Sequence, residues 1–300
     1  NMNDRFKKYS RLPTEQNNPR TRDFDRIPLR RVLEKLNYED SLVPRAVGKA
    51  IPAVEKAARL VSKVYLAGGS VFFIGAGTSG RLGVLEAAEL PPTYGVEPER
   101  FRALMAGGQM AVFHSREGAE DVFENGFREI KRSVKKGDAV IGIAASGVTP
   151  YVKGGLAAGK KAGAGTVLIT CNPKERTPEA DITVALDVGP EPVSGSTRMK
   201  SGTATKLALN MVTTSVMIIS GKVYRNWMVD VRTTSRKLAL RAQRITSILG
   251  GVPQEAARRL LDLTGNDVKT AIVMARRGID LKKARLLIKK HKGFLKAILG

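Results

Sequence analysis

Apolar positions near the start of the chain recur at helical spacing. Over residues 25–36 and 43–64 they return every three or four positions, which places them on one stripe of a helix. Gly68 and Gly69 follow the second stretch, and glycine commonly ends a helix. The pattern predicts an irregular basic arm followed by helices, which we assign to residues 1–58.

The middle of the chain has a different pattern, in which short apolar runs alternate with longer helical stretches. Strands are predicted at residues 70–74, 102–105, 139–144, 166–170 and 182–186, and helices from 78 and at 121–134, 150–162 and 200–220. Strands separated by helices of about 10 or more residues form parallel sheets with helices on both faces. Because crossovers are right-handed, the pattern predicts an α/β fold with a doubly wound, mostly parallel sheet.

The strand pattern ends near residue 237. Short helices are predicted at residues 238–249, 253–263, 268–276 and 281–289, and the chain contains no internal repeat. We therefore expect a binding domain over residues 59–236 and a small all-helical C-terminal domain over 237–300.

The amino-acid composition indicates the size of the core and the cellular compartment. Hydrophobic residues make up 42% of the 300-residue chain, enough for a sizeable core. The single cysteine, Cys171, excludes an internal disulfide framework and favours a reducing compartment, and its place after an apolar run predicts a buried strand end. Residues 1–31 lack the apolar region of a secretory signal, and no apolar stretch reaches the ~18 residues of a membrane span. We expect a cytoplasmic protein with no membrane partner.

The charge balance is strongly basic, with 51 Lys and Arg against 28 Asp and Glu and a formal net charge of +23. A positive field attracts anions of any kind, from nucleic acid to sugar phosphates. The last 50 residues contain 12 Lys and Arg and 4 Asp and Glu, and the remaining excess is spread along the chain. Since only 5% of residues are aromatic and none interleave with basic runs, we expect no specific nucleic-acid partner.

A glycine-rich turn follows the first predicted strand. Residues 75–81 contain Gly77, Thr78, Ser79 and Gly80, and the next helix begins there. Glycine lets the backbone approach an anion, and free amides at a helix start favour negative charge. The turn matches Gly-x-Gly-x-x-Gly, but no acid closes a second strand about 20 residues later, as a dinucleotide site requires. A plain strand–helix turn is the alternative.

Two later loops repeat this combination of hydroxyls and helix starts. The second loop, residues 144–150, ends a strand, and the third, residues 194–203, leads into a long apolar helix. Open α/β sheets bind ligands at the ends of their strands, so the three loops together predict a phosphate pocket. The candidate binding residues of the two later loops are Ser146, Gly147, Thr149, Ser194, Ser196, Thr197, Arg198 and Lys200. Polar helix-capping loops are the alternative.

Five segments resemble the N-acetylmuramic acid 6-phosphate etherase family. They are residues 75–95, 117–121, 142–147, 194–205 and 221–231, and the resemblance extends from about residue 12 to residue 298. It implies a sugar isomerase (SIS) domain. It also implies cleavage of the D-lactyl ether of N-acetylmuramic acid 6-phosphate to N-acetylglucosamine 6-phosphate and D-lactate, a step of cell-wall recycling.

The resemblance also implies two catalytic carboxyl groups. Glu89 corresponds to the acid that protonates departing lactate, and Glu120 to the base, with Glu117 left open as a substitute. Such an elimination needs one ionised and one protonated carboxyl near neutral pH. It needs no metal or other cofactor, and the only histidines, His114 and His291, form no ligand cluster.

The sequence departs from the family pattern at three positions. Leu90 stands where cysteine is usual, Val148 where arginine usually follows Ser-Gly, and Trp227 where leucine is usual. Two other functions stay open: an aldose–ketose isomerase acting on an amino-sugar phosphate, and a non-catalytic sugar-phosphate sensor. The long apolar helix and uncovered sheet edges, together with the resemblance, predict a homodimer.

Overall fold

A five-stranded parallel sheet forms the centre of the fold. The computed structural model describes residues 9–300, so residues 1–8 of the predicted arm lie outside the described part. The strands are β1 (Val71–Gly75), β2 (Phe101–Met105), β3 (Ala139–Ile143), β4 (Gly165–Thr170) and β5 (Ile182–Ala185). The strand order is β2-β1-β3-β4-β5, and every neighbouring pair is parallel.

The direction of winding reverses between β1 and β3. From β1 the chain passes to the edge strand β2, and it then returns to the other side of β1 to form β3. Gly75, the last residue of β1, is in register with Ile143, the last residue of β3. The loops that leave these two strands therefore start side by side, at the type of switch point where open α/β sheets bind ligands. The predicted doubly wound parallel sheet is confirmed.

Helices cover both faces of this sheet. Phe72, Ile74 and Val140 pack on one face against helices α5 (Phe123–Ser133) and α6 (Pro150–Lys161). Phe73 on the other face lies against α4 (Gly77–Tyr94). Strands β1 and β3 are buried along their whole length, as expected for a parallel sheet covered on both sides. The helices up to this point are α1 (Leu29–Ser41), α2 (Val43–Lys49), α3 (Ile51–Leu66), α4 (Gly77–Tyr94), α5 (Phe123–Ser133), α6 (Pro150–Lys161) and α7 (Lys200–Ile219).

The chain divides into two compact units. The first contains residues 1–87 and 99–213, and the second residues 88–98 and 214–300. The apolar core of the second unit includes Ile245, Leu261 and Ile272. Its elements are β6 (Val223–Tyr224), β7 (Trp227–Met228), α8 (Arg236–Gly250), α9 (Gln254–Thr264), α10 (Val268–Arg277), α11 (Leu281–Lys290) and α12 (Leu295–Leu299). Within residues 9–300, no helix has both the length and the apolar character needed to cross a membrane.

Several predicted boundaries differ from the structure. The stretch at residues 43–64 is two helices, because α2 ends at Lys49 and α3 begins with Pro52 in its first turn. Helix α4 continues through Pro91 and Pro92, although prolines usually end a helix. A proline lacks an N–H donor but its carbonyl still accepts, and the Gly95 N–H donates to Pro91 O at 2.9 Å. The hairpin β6–β7 and α12 were not predicted, since their short strands and single turn carry too little periodicity.

A buried carboxylate joins three distant parts of the first unit. Glu39 of α1 is fully buried and accepts hydrogen bonds from Asn18 Nδ2 at 2.9 Å and from Lys200 Nζ at 2.7 Å. The guanidinium of Arg20 donates to both of its oxygens, and Lys200 is itself fully buried. Asn18 and Arg20 belong to the N-terminal arm, and Lys200 begins α7. The cluster therefore fastens the arm and α1 to the start of α7.

The charge state of Glu39 depends on these partners. Burial by itself would raise the pKa of Glu39, but the hydrogen bonds from Arg20, Lys200 and Asn18 outweigh it and lower the pKa from 4.5 to about 2. Because the pKa is depressed in the folded state, this carboxylate stabilises the protein at pH values above 4.5. That contribution is lost as the pH falls from 4.5 towards 2.

We expect the substitution Glu39→Gln to lower the free energy of unfolding by about 3–5 kcal/mol, because it leaves the buried Lys200 ammonium without a counter-ion. Urea unfolding at pH 7 measures the change. The matched control is Glu55→Gln, which breaks only the exposed pair with Arg59 and should cost about 0.5 kcal/mol or less. The stability difference between wild type and Glu39→Gln should shrink between pH 4.5 and 2. A constant difference over that range would contradict the assigned role.

Candidate active site

A cleft of about 240 Å³ opens in the first unit where strands β1 and β3 end. Its walls come from the loops after β1 and β3, the loop that precedes α7, the arm, and a short turn at Ala119–Asp121. Six residues with hydroxyl groups line it: Tyr9, Thr14, Ser79, Ser146, Thr149 and Thr197. The three predicted loops thus meet at one cleft, and the register of β1 with β3 explains why the first two start side by side.

The glycine turn after β1 supplies Ser79. Gly77 begins α4 with a φ of +53°, a conformation that glycine adopts without strain, and Ser79 lies in the first turn of the helix. Gly80 has a different role from the predicted one. A Cβ at Gly80 would lie 2.8 Å from Gly75 O, and its N–H already donates to Ala76 O at 3.2 Å. Gly80 therefore permits close packing of α4 on β1, and its amide is not free to hold an anion.

The loop after β3 supplies Ser146 and Thr149. Between them Gly147 turns the chain with a φ of +78°, and a Cβ there would lie 2.6 Å from Cγ of Glu175. The Asn172 side-chain amide donates to Ser146 O at 3.1 Å and holds the loop against the end of β4. Gly147 thus shapes the turn, and the two hydroxyls beside it face the cleft.

The loop before α7 supplies Thr197 and is joined to the arm. The Gly195 N–H donates to Thr14 O at 2.9 Å, and the Ser194 hydroxyl donates to Glu15 O at 3.1 Å. These bonds bring Thr14 and Glu15 into the cleft wall. Thr14 and Glu15 were not predicted as site residues, because the two segments lie far apart in the chain and nothing in the irregular arm indicates a binding function.

Lys200 does not line the cleft. Its position corrects the prediction that Lys200 binds phosphate. Its ammonium is fully buried against Glu39. The start of α7 is also occupied, since the Glu191 carboxylate accepts the backbone N–H groups of Lys200 and Ser201, each at 2.9 Å. An internal carboxylate thus takes the place that an anion would occupy at this helix start.

The predicted binding residues divide into two groups. Ser79, Ser146, Thr149 and Thr197 line the cleft, and Gly77 lines a second, smaller cavity. The remaining candidates line neither cavity; they are Thr78, Gly80, Gly147, Ser194, Ser196, Arg198 and Lys200.

Glu120 lies at the wall of both cavities. It stands in the single turn Ala119–Asp121, directly before α5. Glu120 is exposed at the cleft wall, but neighbouring atoms partly desolvate its carboxyl and raise its pKa above the ordinary value of 4.5. The nearby charges of Asp121 and Glu117 raise the pKa further. A carboxylate with a raised pKa is a stronger base than an ordinary glutamate.

Glu89 and Glu86 lie one turn apart on α4 in different surroundings. Glu89 is exposed and belongs to the second unit. Glu86 is buried, and it accepts hydrogen bonds from Thr213 Oγ1 at 2.5 Å and Lys206 Nζ at 2.9 Å. Glu86 therefore joins α4 to α7, whereas the Glu89 carboxylate is accessible to solvent.

The main cleft is rich in hydroxyls and carboxylates. Among residues 9–300, its lining contains no Lys or Arg, and Val148 occupies the position where the resembling family has arginine. An anion held there would be bound by hydroxyls and backbone amides. Over the same residues, no group of three or more His, Cys, Asp or Glu side chains is arranged to hold a metal ion.

Comparisons with known proteins agree with this architecture. A family model described as the glucokinase regulatory protein N-terminal SIS domain matches residues 53–160. An N-acetylmuramic acid 6-phosphate etherase of Clostridium botulinum (strain Loch Maree / Type A3) is 45% identical over 287 residues, which cover 95% of each chain. A protein of the same name from Rhizobium rhizogenes (strain K84 / ATCC BAA-868) is 47% identical over 288 residues, which cover 95% of this chain and 94% of the relative.

Among solved structures, a phosphoheptose isomerase from Francisella tularensis is similar with a TM-score of 0.43 and 16% identity. The match covers 62% of this chain and 97% of that chain.

The parallel sheet, its switch-point cleft and the matching family model define a protein with a SIS domain. The sequence identity of 45% and 47% to the two etherases, over nearly the full length, assigns the chain to a particular family with this domain. The chain belongs to the N-acetylmuramic acid 6-phosphate etherase family.

We expect the substitution Asp121→Asn to lower the pKa of Glu120, because it removes the neighbouring charge with the largest effect on that group. Glu117→Gln should lower it by a smaller amount. Carboxyl-carbon NMR titration of glutamate-labelled protein, with Glu120→Gln used for assignment, measures both shifts. Glu124→Gln is the control, since that exposed residue is not a cause of the raised pKa. Equal pKa values in wild type and Asp121→Asn would contradict the electrostatic explanation.

Proposed function

We propose that this protein is a carbon–oxygen lyase that cleaves the D-lactyl ether of N-acetylmuramic acid 6-phosphate. The products are N-acetylglucosamine 6-phosphate and D-lactate, and the step belongs to cell-wall amino-sugar recycling. One observation carries the proposal within the family: Glu120, a carboxylate with a raised pKa, stands in the wall of a hydroxyl-lined cleft at the sheet's switch point. A base beside a phosphate-binding cleft is what this elimination requires.

The reaction follows from the acidity of one C–H bond. In the open-chain sugar the C2 proton lies next to the C1 aldehyde, and we assign its removal to the Glu120 carboxylate. The electron pair forms a C2–C3 double bond as the C3–O bond breaks, and the departing lactate oxygen takes a proton. Water then adds its oxygen at C3 and a proton at C2, which restores the saturated sugar.

Protonation of the departing oxygen is assigned to Glu89. An alkoxide is a poor leaving group, so proton donation by a carboxylic acid lowers the barrier. The assignment rests on the position of Glu89 in the family motif and on its accessible side chain.

The hydroxyls of Ser79, Ser146, Thr149 and Thr197 are the proposed phosphate ligands. Hydroxyl donors and the first amides of α4 bind a phosphate without a cationic side chain. The net charge of +23 adds a long-range attraction for the anionic substrate. The single cysteine is free and buried, and together with a phosphorylated substrate this supports a cytoplasmic location.

We expect the purified protein to release D-lactate from N-acetylmuramic acid 6-phosphate. Glu120→Gln should abolish both lactate release and solvent-deuterium exchange at C2 of N-acetylglucosamine 6-phosphate, because both need the base. Glu89→Gln should slow lactate release by about 10²–10⁴-fold and leave the exchange in place. An enzymatic lactate assay and proton NMR measure the two reactions, with Glu124→Gln as the control.

The outcomes separate the alternatives. Binding of the sugar phosphate without lactate release would favour a sensor, and aldose–ketose interconversion would favour an isomerase. Exchange that persists in Glu120→Gln would reassign the base, with Glu117 as the next residue to test.

We also propose that the protein is a homodimer. Leu85 of α4 is 41% exposed and Met211 of α7 is 38% exposed, and the hydrogen bond from Thr213 to Glu86 holds these two helices together. A second copy that covers these two exposed apolar side chains would remove them from water.

We expect the double substitution Leu85→Asp and Met211→Asp to convert the dimer to a monomer, because it places charges in the proposed interface. Light scattering after size-exclusion chromatography measures the mass. Leu66→Asp is the control, since Leu66 is 58% exposed at the end of α3. A dimer that persists in the double variant would place the interface elsewhere.

A further inference from the structure

A second cavity, of about 110 Å³, shares two lining residues with the main cleft, Ala76 and Glu120. Met105, Ala106 and Ala111 form an apolar part of its wall. Glu120 therefore borders two spaces, and the proposed phosphate ligands account for only one of them.

The two spaces differ in their charged groups. Three carboxylates line the main cleft, those of Glu15, Glu120 and Asp121, without a Lys or Arg among the described residues. The second cavity is lined by two guanidinium groups, those of Arg81 and Arg116, beside the carboxylates of Glu117 and Glu120. A carboxylate ligand would consequently meet cationic side chains in the second cavity, whereas the charged groups of the main cleft are all carboxylates.

Arg81 is held in place by the turn that follows β2. Its Nε donates to Val112 O at 2.8 Å and its Nη2 donates to Ala111 O at 2.9 Å. These bonds engage two of the five N–H donors of a guanidinium, which leaves others for a ligand. Arg81 therefore provides a fixed positive charge in the cavity wall.

Arg116 is exposed, and its aliphatic stem lies against Gly107. A Cβ at Gly107 would lie 3.1 Å from both Cβ and Cδ of Arg116. The carboxylate of Glu117 also lines this cavity and could compete with a ligand for the Arg116 guanidinium. One of its oxygens already has a donor, because the Ser115 hydroxyl donates to Glu117 Oε1 at 3.0 Å. The stem packing directs the Arg116 chain along the cavity wall while its charged head remains accessible.

We propose that the second cavity binds the carboxylate of the substrate's lactyl substituent, with Arg116 as the principal ligand and Arg81 as a supporting charge. This inference rests on the proposed etherase activity. The substrate has two anionic groups, the C6 phosphate and the lactyl carboxylate. Guanidinium groups are suited to carboxylates because their planar N–H pairs match the two oxygens.

The covalent structure of the substrate supports this placement. One carbon atom separates the lactyl carboxylate from the ether oxygen, and the ether oxygen is bonded to C3. When Glu120 reaches the proton on the adjacent C2, the carboxylate must lie close to Glu120 as well. The second cavity is the space beside Glu120 that offers cationic side chains.

The test uses two substrates that differ only by the lactyl group. Lactate release by the wild type is measured first, and its absence would overturn the proposed function itself. With an active wild type, Arg116→Ala should raise KM for N-acetylmuramic acid 6-phosphate about tenfold or more, as expected for the loss of a hydrogen bond to a charged group. The same variant should leave KM for C2 exchange of N-acetylglucosamine 6-phosphate within about twofold, because that sugar lacks the carboxylate.

Arg116→Lys should recover part of the affinity, since it keeps the charge without the paired donors. Arg128→Ala is the matched control, because it removes an exposed arginine of α5 that lines neither cavity. An unchanged KM for the ether substrate in Arg116→Ala would overturn the inference. So would an equal rise for both substrates, which would assign Arg116 to the phosphate they share.

Discussion

The buried Glu39 carboxylate is the interaction on which the site architecture depends. It is removed from water, a costly arrangement that becomes tolerable because Asn18, Arg20 and Lys200 all donate to it. These donors come from the arm and from the start of α7. The same two segments meet again at the cleft, where Gly195 donates to a carbonyl of the arm. The ion pairs and hydrogen bonds of Glu39 lie outside the cleft, and they stabilise the position of one of its walls.

The site combines neutral donors with charged groups placed around them. Hydroxyls line the main cleft, Glu120 stands where the two cavities meet, and arginines lie in the smaller one. The proposed substrate has two anionic groups, and the two cavities offer a separate space for each of them. Glu120 lies between these spaces. The neighbouring charges of Asp121 and Glu117 raise the pKa of Glu120, which makes its carboxylate more basic than that of an ordinary glutamate.

The sequence predicted the loops of the site better than the role of each residue. Ser79, Ser146, Thr149 and Thr197 were expected from hydroxyls at strand ends, and they line the cleft. The same density of polar residues also selected Lys200, which is buried against Glu39. A lysine that neutralises an internal carboxylate and one that binds a ligand have the same local sequence context. The difference lies in a partner 161 residues away.

Local pattern by itself determined most of the helices and strands, the parallel sheet, and the loops that meet at the cleft. Hydrophobic periodicity and turn preferences depend on a few neighbouring residues. Parallel strands place the loops that follow them at one edge of the sheet, whichever side chains those loops contain. The tertiary structure decided which groups face the cleft. Packing and charge pairing at long range brought Thr14 and Glu15 into the wall and withdrew Lys200 from it. The fold also places atoms around the Glu120 carboxyl that partly desolvate it and raise its pKa.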